Sequence, residues 1–582
     1  MTPQESPPEP LDDLLARVRD WVSDDPSADT AGRLEELVGA VDRGGSAVAK
    51  QELRELFSGE LAFGTAGLRG AVGPGPNRMN IAVVRRAAAG IAAWVQGSGA
   101  SPSVVIGRDA RHGSEAFLEE SVGVLVGAGV DVSVLPAPVP TPVLAYAIRH
   151  LGAGAGIMVT ASHNPATDNG YKVYDEGGCQ VADPQSQAIA AAMAEAGRVT
   201  DLPLAPAGDP RRTLLGSEVV ESYVAATRRG VLGAARDRTP VDVAYTALHG
   251  VGSPVVRQVC RDAGFITLHE VTAQADADPD FPTVAFPNPE EPGALDRLIE
   301  QASYVGADLA LANDPDADRL ALTAWNPAVG ERRDPAAWQT LSGDQLGWLL
   351  ADHLVRRGGL PEGAVMATTI VSSTLLRALA LDAGLGYVET LTGFKWIGRA
   401  PRPDQTLVLG YEEALGYCVG DVVRDKDGIG ALLLACELVS DLLDRGLTVF
   451  DALDDLARRF GVYATGQWSL RLEGAEGACR IAAAMSRLRG APPTEVASRS
   501  VASVTDLADG AGGRSLPPAD VVGLALHGAR VVVRPSGTEP KLKCYVEVVE
   551  PVGDGDLHRA RTQAQAGLEA LLAAVPATLG LD

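Results

Sequence analysis

The sequence predicts an α/β protein of about four domains, on three observations. Three stretches, Val104 to Glu120, Val241 to Ala263 and Val365 to Ala380, share an apolar strand, a polar or glycine turn and a helix-like continuation. Their starts lie about 120 to 140 residues apart, close to one domain length, so they read as related α/β units and not as a short-period solenoid. The 582 residues, 46% hydrophobic and 21% charged, supply core for about four domains by the usual length prior. Boundaries are expected near Ala235, Asp334 and Val462, giving an N-terminal extension (1–60) and domains at 61–235, 236–334, 335–462 and 463–582.

From the N-terminus, an acidic, proline-rich tail (M-T-P-Q-E-S-P-P-E-P) is expected to fray ahead of amphipathic helices with Leu11, Leu14, Leu15, Val18 and Val22 on one face. The tail has neither the cationic nor the apolar region of a signal peptide. The longest apolar tract, Ser121 to Pro140, is broken by Asp131 and three prolines, which excludes it as a membrane span. G-A-G-A-G (Gly152 to Gly156) precedes a strand instead of following one, so no dinucleotide site is expected there. The Gly-, Ser- and Ala-rich stretch Gly490 to Ser515 reads as a mobile loop of the last domain.

Three segments carry chemistry. In T-A-S-H-N-P (Thr160 to Pro165), Ser162 follows an apolar run inside a polar, proline-terminated loop, a place where a hydroxyl can meet a substrate. A serine is a weak nucleophile unless a neighbour takes its proton or the electrophile is strongly polarised, and no G-x-S-x-G elbow frames this one. His163 beside it either orients or relays a proton, or only hydrogen-bonds its loop neighbours. His249, in Y-T-A-L-H-G-V-G-S, reads as a loop-shaping residue.

D-P-D-A-D-R (Asp314 to Arg319) follows the strand-like run Ala307 to Ala312, so three carboxylates at i, i+2 and i+4 leave the end of a buried strand together. Oxygens crowded in this way repel one another, and a divalent metal such as Mg2+ relieves that repulsion while leaving positions for a phosphoryl oxygen. The rival reading is an acidic surface turn. Arg319 argues against it, because a fixed guanidinium beside a metal cluster suits a bidentate grip on phosphate. Arg319 and Trp325 stand where an EF-hand loop needs glycine and glutamate, which excludes that motif. Near the far end, R-P-S-G-T-E-P-K (Arg534 to Lys541) lies between two strand-like runs and offers hydroxyls, backbone N–H groups and the Arg534 fork to an anion without a metal. A plain Ser/Gly/Pro hairpin turn is the alternative.

These segments, with G-F-K-W-I-G (Gly393 to Gly398), Y-E-E-A-L-G-Y (Tyr411 to Tyr417) and F-G-T-A-G-L-R-G (Phe63 to Gly70), resemble in order and spacing the alpha-D-phosphohexomutases, the phosphoglucomutase and phosphomannomutase superfamily. The resemblance runs from about Phe63 to about Val549. It implies three related α/β domains and a C-terminal α+β domain around a central cleft. It also implies a mutase that interconverts hexose 1-phosphate and hexose 6-phosphate through a phosphoserine and a sugar 1,6-bisphosphate, which serves as activator and intermediate. Carried over, Ser162 is the phosphoserine, and Asp314, Asp316 and Asp318 with the phosphoserine oxygen hold Mg2+. Arg69 and Arg319 steady the phosphoryl group, and Lys172 in N-G-Y-K-V-Y exchanges a proton with the reacting hydroxyl, which an ammonium can do if neighbouring cations and partial burial lower its pKa. Lys395 and Glu412 meet the sugar, while Arg534, Ser536, Gly537 and Thr538 clamp the distal phosphate. Ala414 stands where the commoner G-E-E-S form has serine, which is more similar to the branch containing phosphoglucomutase-2 and phosphopentomutase and leaves the choice among glucose, mannose and pentose open.

The formal charge of −25 disfavours nucleic acid as a partner, and the cleft must be locally positive to admit a sugar phosphate. Only six lysines occur, at 50, 172, 395, 426, 541 and 543, in a chain that otherwise uses arginine, so a lysine hints at a task for a compact ammonium. Six scattered cysteines without a C-x-x-C pair argue for reduced thiols and a cytoplasmic location, and neither zinc nor a membrane is expected. The expected partners are small sugar phosphates, with a monomer or small homo-oligomer as the assembly. Alternatives are a phosphopentomutase, a Mg-dependent sugar phosphatase whose nucleophile is the first aspartate, and a non-catalytic sugar-phosphate sensor.

Overall fold

The computed structural model describes residues 9–61, 63, 67–99, 102–234, 237–472, 474–508, 510, 516–536 and 541–581. The tail expected to fray covers residues 1–8, outside the described residues. Next come three amphipathic helices, Leu11–Asp24, Ala28–Gly44 and Ala47–Leu56, which bury Leu14, Leu15 and Val18 against Leu34, Leu37, Val41 and Leu53. Ser27 and Ser46 cap the second and third helices by accepting backbone N–H groups, which is why each helix starts where it does. Asp24 then ties the bundle to the rest of the molecule by accepting the N–H groups of Val199 and Thr200.

The three strand–turn–helix stretches read from the sequence become three sheets built to one plan. The opening strand of each pairs in parallel with the next two strands. Ser103–Arg108 pairs with Asp131–Val134 and Ala155–Val159, and Val241–Thr246 with Ile266–Glu270 and Leu309–Ala312. Ala364–Thr369 pairs with Gly386–Thr390 and Thr406–Glu412. A fourth strand, Asp168–Asp175, Ala321–Trp325 or Gly416–Val419, turns back antiparallel on the third. T-A-S-H-N-P, D-P-D-A-D-R and Y-E-E-A-L-G-Y therefore occupy the same connection, third to fourth strand, in the three units. Each connection holds one non-glycine residue at positive φ: Ser162 (53°), Ala317 (53°) and Leu415 (62°).

Edge strands extend two of the sheets. Leu68–Ala71 lies antiparallel on Asp168–Asp175, Arg212–Leu214 parallel on Asp131–Val134, and Trp338–Thr340, past Asp334, antiparallel on Ala321–Trp325. Gly152, at φ 65°, ends the helix Thr141–Leu151, so G-A-G-A-G leads into a strand. The fourth sheet is antiparallel, in the order Val462–Arg471, Lys541–Glu550, Ala529–Pro535, Val522–Leu526, Arg499–Asp506 and Glu495–Val496. The expected loop from Gly490 to Ser515 is corrected here: Arg499–Asp506 (R-S-V-A-S-V-T-D) is a strand paired with Val522–Leu526. Its small, largely exposed side chains gave no apolar alternation, and cross-strand pairing, not burial, makes it a strand. Residues 509 and 511–515 of that stretch lie outside the described residues.

One continuous apolar core joins the second and third units and takes in the helices Thr141–Leu151 and Glu218–Val231 of the first. The fourth domain has its own core and touches the third through a smaller cluster of Ile370, Val371 and Leu391 with Val521, Val532 and Tyr545. At the joint of the first three units the helix Gly428–Asp444 carries a fully buried Glu437. Its carboxylate accepts from Arg238 Nη2 at 2.6 Å, from the Gly233 N–H at 2.9 Å and from Arg357, and lies 3.2 Å from His353 Nε2. Burial alone pushes this carboxyl up, but His353, Arg238 and Arg357 outweigh it and hold it well below the usual glutamate range. Glu437→Gln is expected to destabilise by about 3 kcal/mol, because a fully buried carboxylate's charge is removed from two partly buried guanidinium groups. The deficit in thermal midpoint relative to the parent should be full at neutral pH and shrink as pH falls below about 4.5, where the parent's carboxylate is protonated in the unfolded chain and its advantage fades.

Candidate active site

Ser162 sits at the end of the buried strand Ala155–Val159 in the left-handed region, a backbone state that costs a β-carbon residue about 1–2 kcal/mol. Its own N–H donates to Thr160 Oγ1 at 2.9 Å, and its hydroxyl donates to Asp314 Oδ2 at 2.8 Å. His163 Nδ1 lies 3.2 Å from the same hydroxyl. Burial, then the charges of Arg319, Arg69 and Lys426, push the His163 pKa well below its ordinary value, so the imidazole is neutral. His249 lies elsewhere, its Nε2 2.8 Å from Thr283 Oγ1, and shapes a loop.

Asp314, Asp316 and Asp318 are fully buried, and their candidate ligand atoms lie within 4.8 Å of one another. Asp314 Oδ1 accepts the Arg319 N–H at 3.0 Å, and Asp316 Oδ2 accepts the Thr141 hydroxyl at 2.6 Å. Lys172 is delivered by the antiparallel partner of the Ser162 strand, in register with Met158. Its ammonium bridges Asp316 Oδ2 at 2.6 Å and Asp318 Oδ2 at 2.8 Å. The expectation that burial and nearby cations lower its pKa is corrected: burial does act downward, but Asp316 and Asp318 outweigh it and hold the ammonium above its ordinary range. Asp318 is held low by Lys172 and Lys426 against its burial, whereas burial and its fellow carboxylates push Asp316 up.

The triad fits a divalent cation. All its donors are hard carboxylate oxygens, and Asp316 Oδ1 and Asp318 Oδ1 are buried with no hydrogen-bond partner. Arg69 Nη1 donates to Asn164 Oδ1 at 3.1 Å and Arg319 Nη1 to Glu290 Oε2 at 3.2 Å, while Nε of each arginine is buried and unpartnered.

In the third unit, Glu412 Oε1 accepts the N–H of Gly393, a residue at φ 114° that only glycine adopts readily. Burial, then Glu413, push the Glu412 carboxyl up to about 6. Lys395 is buried with its ammonium 5.5 Å above the Trp396 ring, and the charges that act on it are those of Asp183 and Arg399, away from the triad. Arg534, at the end of the strand Ala529–Pro535, donates to Thr392 Oγ1, so the fourth domain reaches the residue that precedes G-F-K-W-I-G. The Ser536 N–H donates to Lys541 O at 2.7 Å, and Gly537 and Thr538 lie outside the described residues.

Sequence reasoning missed several residues that the fold brings here. Lys426 Nζ lies 2.8 Å from Asp318 Oδ2. It is carried by R-D-K-D-G (Arg424 to Gly428), whose glycine is required because a β-carbon there would stand 2.3 Å from the Arg319 carbonyl oxygen. Lys543 faces Arg534, Glu413 and Glu290, and burial lowers its pKa. Scarcity of lysine was the signal available for both. Glu290 and Thr141 gave none, since a glutamate in a proline-rich loop and a threonine starting a helix are ordinary.

Comparison with known proteins agrees with this geometry. Residues 60–199, 221–325 and 342–460 match the phosphoglucomutase/phosphomannomutase alpha/beta/alpha domains I, II and III, and residues 492–555 match the C-terminal domain of the same family. The chain is 40% identical to a "Probable phosphomannomutase" of Haemophilus influenzae, over 81% of this chain and 93% of that one. It is 33% identical to a "Probable phosphoribomutase" of Schizosaccharomyces pombe, over 92% of this chain and 94% of that one. A solved phosphoglucomutase/phosphomannomutase family protein of Burkholderia thailandensis shares the fold, with a TM-score of 0.63 at 20% identity over 89% of this chain and 98% of its own. Fold, site and relatives define a phosphosugar mutase, an intramolecular phosphotransferase. The chain belongs to the phosphoglucomutase/phosphomannomutase family.

Asp316→Asn keeps the shape of the triad and removes one charge. Isothermal titration should show divalent-cation affinity falling by at least about 10-fold, the loss that even an outer-shell partner of a metal ligand brings. Unchanged affinity would reject the triad as the metal site.

Proposed function

We propose that this mutase interconverts hexose 1-phosphate and hexose 6-phosphate through a phosphoserine at Ser162 and a sugar 1,6-bisphosphate. The observation that carries the reading is the Ser162 hydroxyl 2.8 Å from Asp314 Oδ2, at the edge of a buried carboxylate triad. Ser162 Oγ carries the phosphoryl group, a sugar hydroxyl oxygen attacks phosphorus, the P–Oγ bond breaks, and the proton given up by the sugar hydroxyl replaces the phosphoryl group on Oγ. The returning step regenerates the phosphoserine from the other end of the bisphosphate, and the neutral His163 is placed to take the Ser162 proton at Nδ1. Arg69 and Arg319, whose Nε groups are buried and unpartnered, hold the phosphoryl oxygens. Asp314, Asp316 and Asp318 would hold Mg2+, which supplies Lewis-acid polarisation of those oxygens. Lys172, whose ammonium bridges Asp316 and Asp318, supplies positive charge beside the reacting phosphoryl group. Glu412 accepts hydrogen bonds from sugar hydroxyls, and Arg534 with Ser536, Gly537 and Thr538 clamps the distal phosphate. Lys395 supports the sugar loop through Trp396.

A pentose phosphate is the second reading, supported by Ala414 in place of a loop serine and by the relative named a phosphoribomutase. The free cysteines among the described residues fit a reducing compartment, and we place the enzyme in the cytoplasm. Among the described residues, no helix is long and apolar enough to cross a membrane.

Ser162→Ala is expected to lose turnover, and intact-protein mass spectrometry should lose any phosphoform of the parent; near-parental isomerisation in the mutant would sink the phosphoserine route. Relative kcat/KM for glucose, mannose and ribose 1-phosphates, primed with a sugar bisphosphate, ranks the sugars. Release of inorganic phosphate without isomer would instead identify a phosphatase.

A second prediction concerns pH. Glu412 accepts sugar hydroxyls most strongly as a carboxylate, and its pKa of about 6 means that it gains a proton as pH falls through that value. The parent's kcat/KM should therefore fall on the acid side of about pH 6 more steeply than that of Glu412→Gln, which lacks this titration. Parallel acid limbs in the two enzymes would remove Glu412 from the sugar contacts.

A further inference from the structure

Arg111 stands just beyond the opening strand of the first unit, in R-D-A-R-H-G-S (Arg108 to Ser114), and is buried. Its guanidinium donates to four main-chain carbonyls of the nucleophile loop. Nη2 reaches Ser162 O at 2.6 Å and Asn164 O at 2.5 Å, and Nη1 reaches Pro165 O at 2.6 Å and Asp168 O at 3.1 Å. Asp109, also buried, lies 3.4 Å from Nε and balances the charge. The guanidinium lies over the ring of Phe281, a residue of the second unit, at 4.9 Å. Phe281 is itself buried and held at φ 47°, and beside this stack His112 Nε2 lies 2.7 Å from Asp280 Oδ1.

The nucleophile belongs to the first unit and the carboxylate triad to the second, so phosphoryl transfer requires the two units in register. Arg111 touches both: the Ser162 loop through four carbonyls, and the second unit through Phe281. We propose that Arg111 is a positioning residue for the transfer step. It holds the Ser162 backbone in its left-handed state and fixes the loop against the unit that carries Asp314, so that Oγ points at the triad. This inference rests on the phosphoserine reading of Ser162. Lysine cannot substitute, because a point ammonium with three donors cannot span four carbonyls and lie flat on a ring, as a planar fork does.

The test uses the full chain with Mg2+ and compares the parent, Arg111→Lys, Phe281→Leu and Ser162→Ala. It measures kcat and KM for glucose 1-phosphate, and the rate at which glucose 1,6-bisphosphate loads a phosphoryl group onto the protein, read by intact mass. Arg111→Lys should lower kcat and the loading rate by about 10²-fold, the loss that a misplacement of about 1 Å brings, with KM within about threefold of the parent. Phe281→Leu, which keeps an apolar filling but removes the ring face, should lower the loading rate by about tenfold. A parental loading rate in folded Arg111→Lys overturns the proposal even if its thermal midpoint falls, since a purely structural role would move only the midpoint. If Arg111→Lys does not fold, Phe281→Leu decides, and an unchanged loading rate there overturns the proposal. Activity retained in Ser162→Ala would instead sink the phosphoserine reading beneath it, so the two failures are distinguishable.

Discussion

Three carboxylates leaving the end of one buried strand are the constraint on which the rest depends. At 4.8 Å, two such charges repel by roughly 3 kcal/mol even at an effective dielectric of about 20. No single domain supplies the compensation. Lys172 comes from the first unit, Lys426 from the third, and Arg319 from the same loop as the triad. Electrostatics at one point thus tie three units together, and the apolar core they share makes that tie rigid. The strongly acidic chain solves its substrate problem in the same place, by converging its scarce cations on the cleft.

The repeated sheet plan explains how this convergence is built. In each unit the functional loop is the connection from the third strand to the antiparallel fourth, and each such loop includes a residue with a β-carbon at positive φ. The same turn therefore presents Ser162 in one unit, the Asp314, Asp316 and Asp318 carboxylates in the next and Glu412 in the third. A tight connection out of a buried strand leaves little freedom for the side chains it carries, which suits a reaction whose barrier falls by positioning. The fourth domain differs: its core is separate, its contact with the third unit is smaller, and Arg534 reaches across to Thr392.

Much of this was legible in the sequence, because the signals were local. Apolar runs ending in T-A-S-H-N-P and D-P-D-A-D-R marked strand ends, and the i, i+2, i+4 spacing of Asp314, Asp316 and Asp318 marked a ligand cluster whatever the surrounding fold. The strand Arg499–Asp506 was missed because its two valines, Val501 and Val504, stand three apart and break a period of two, and its pairing with Val522–Leu526 is not local.

The sequence by itself determined the α/β class, the three-fold repetition of one α/β unit and the local clustering of the three carboxylates at a strand end. Only the tertiary structure decided which charges face one another. Lys172 is held as an ammonium because two carboxylates from another unit outweigh its burial, and Lys426 and Glu290 enter the site because loops from distant segments fold back onto Asp318 and Arg319. Coulomb energy depends on distance through space, and spacing along a chain encodes that distance only within a single strand, turn or helix.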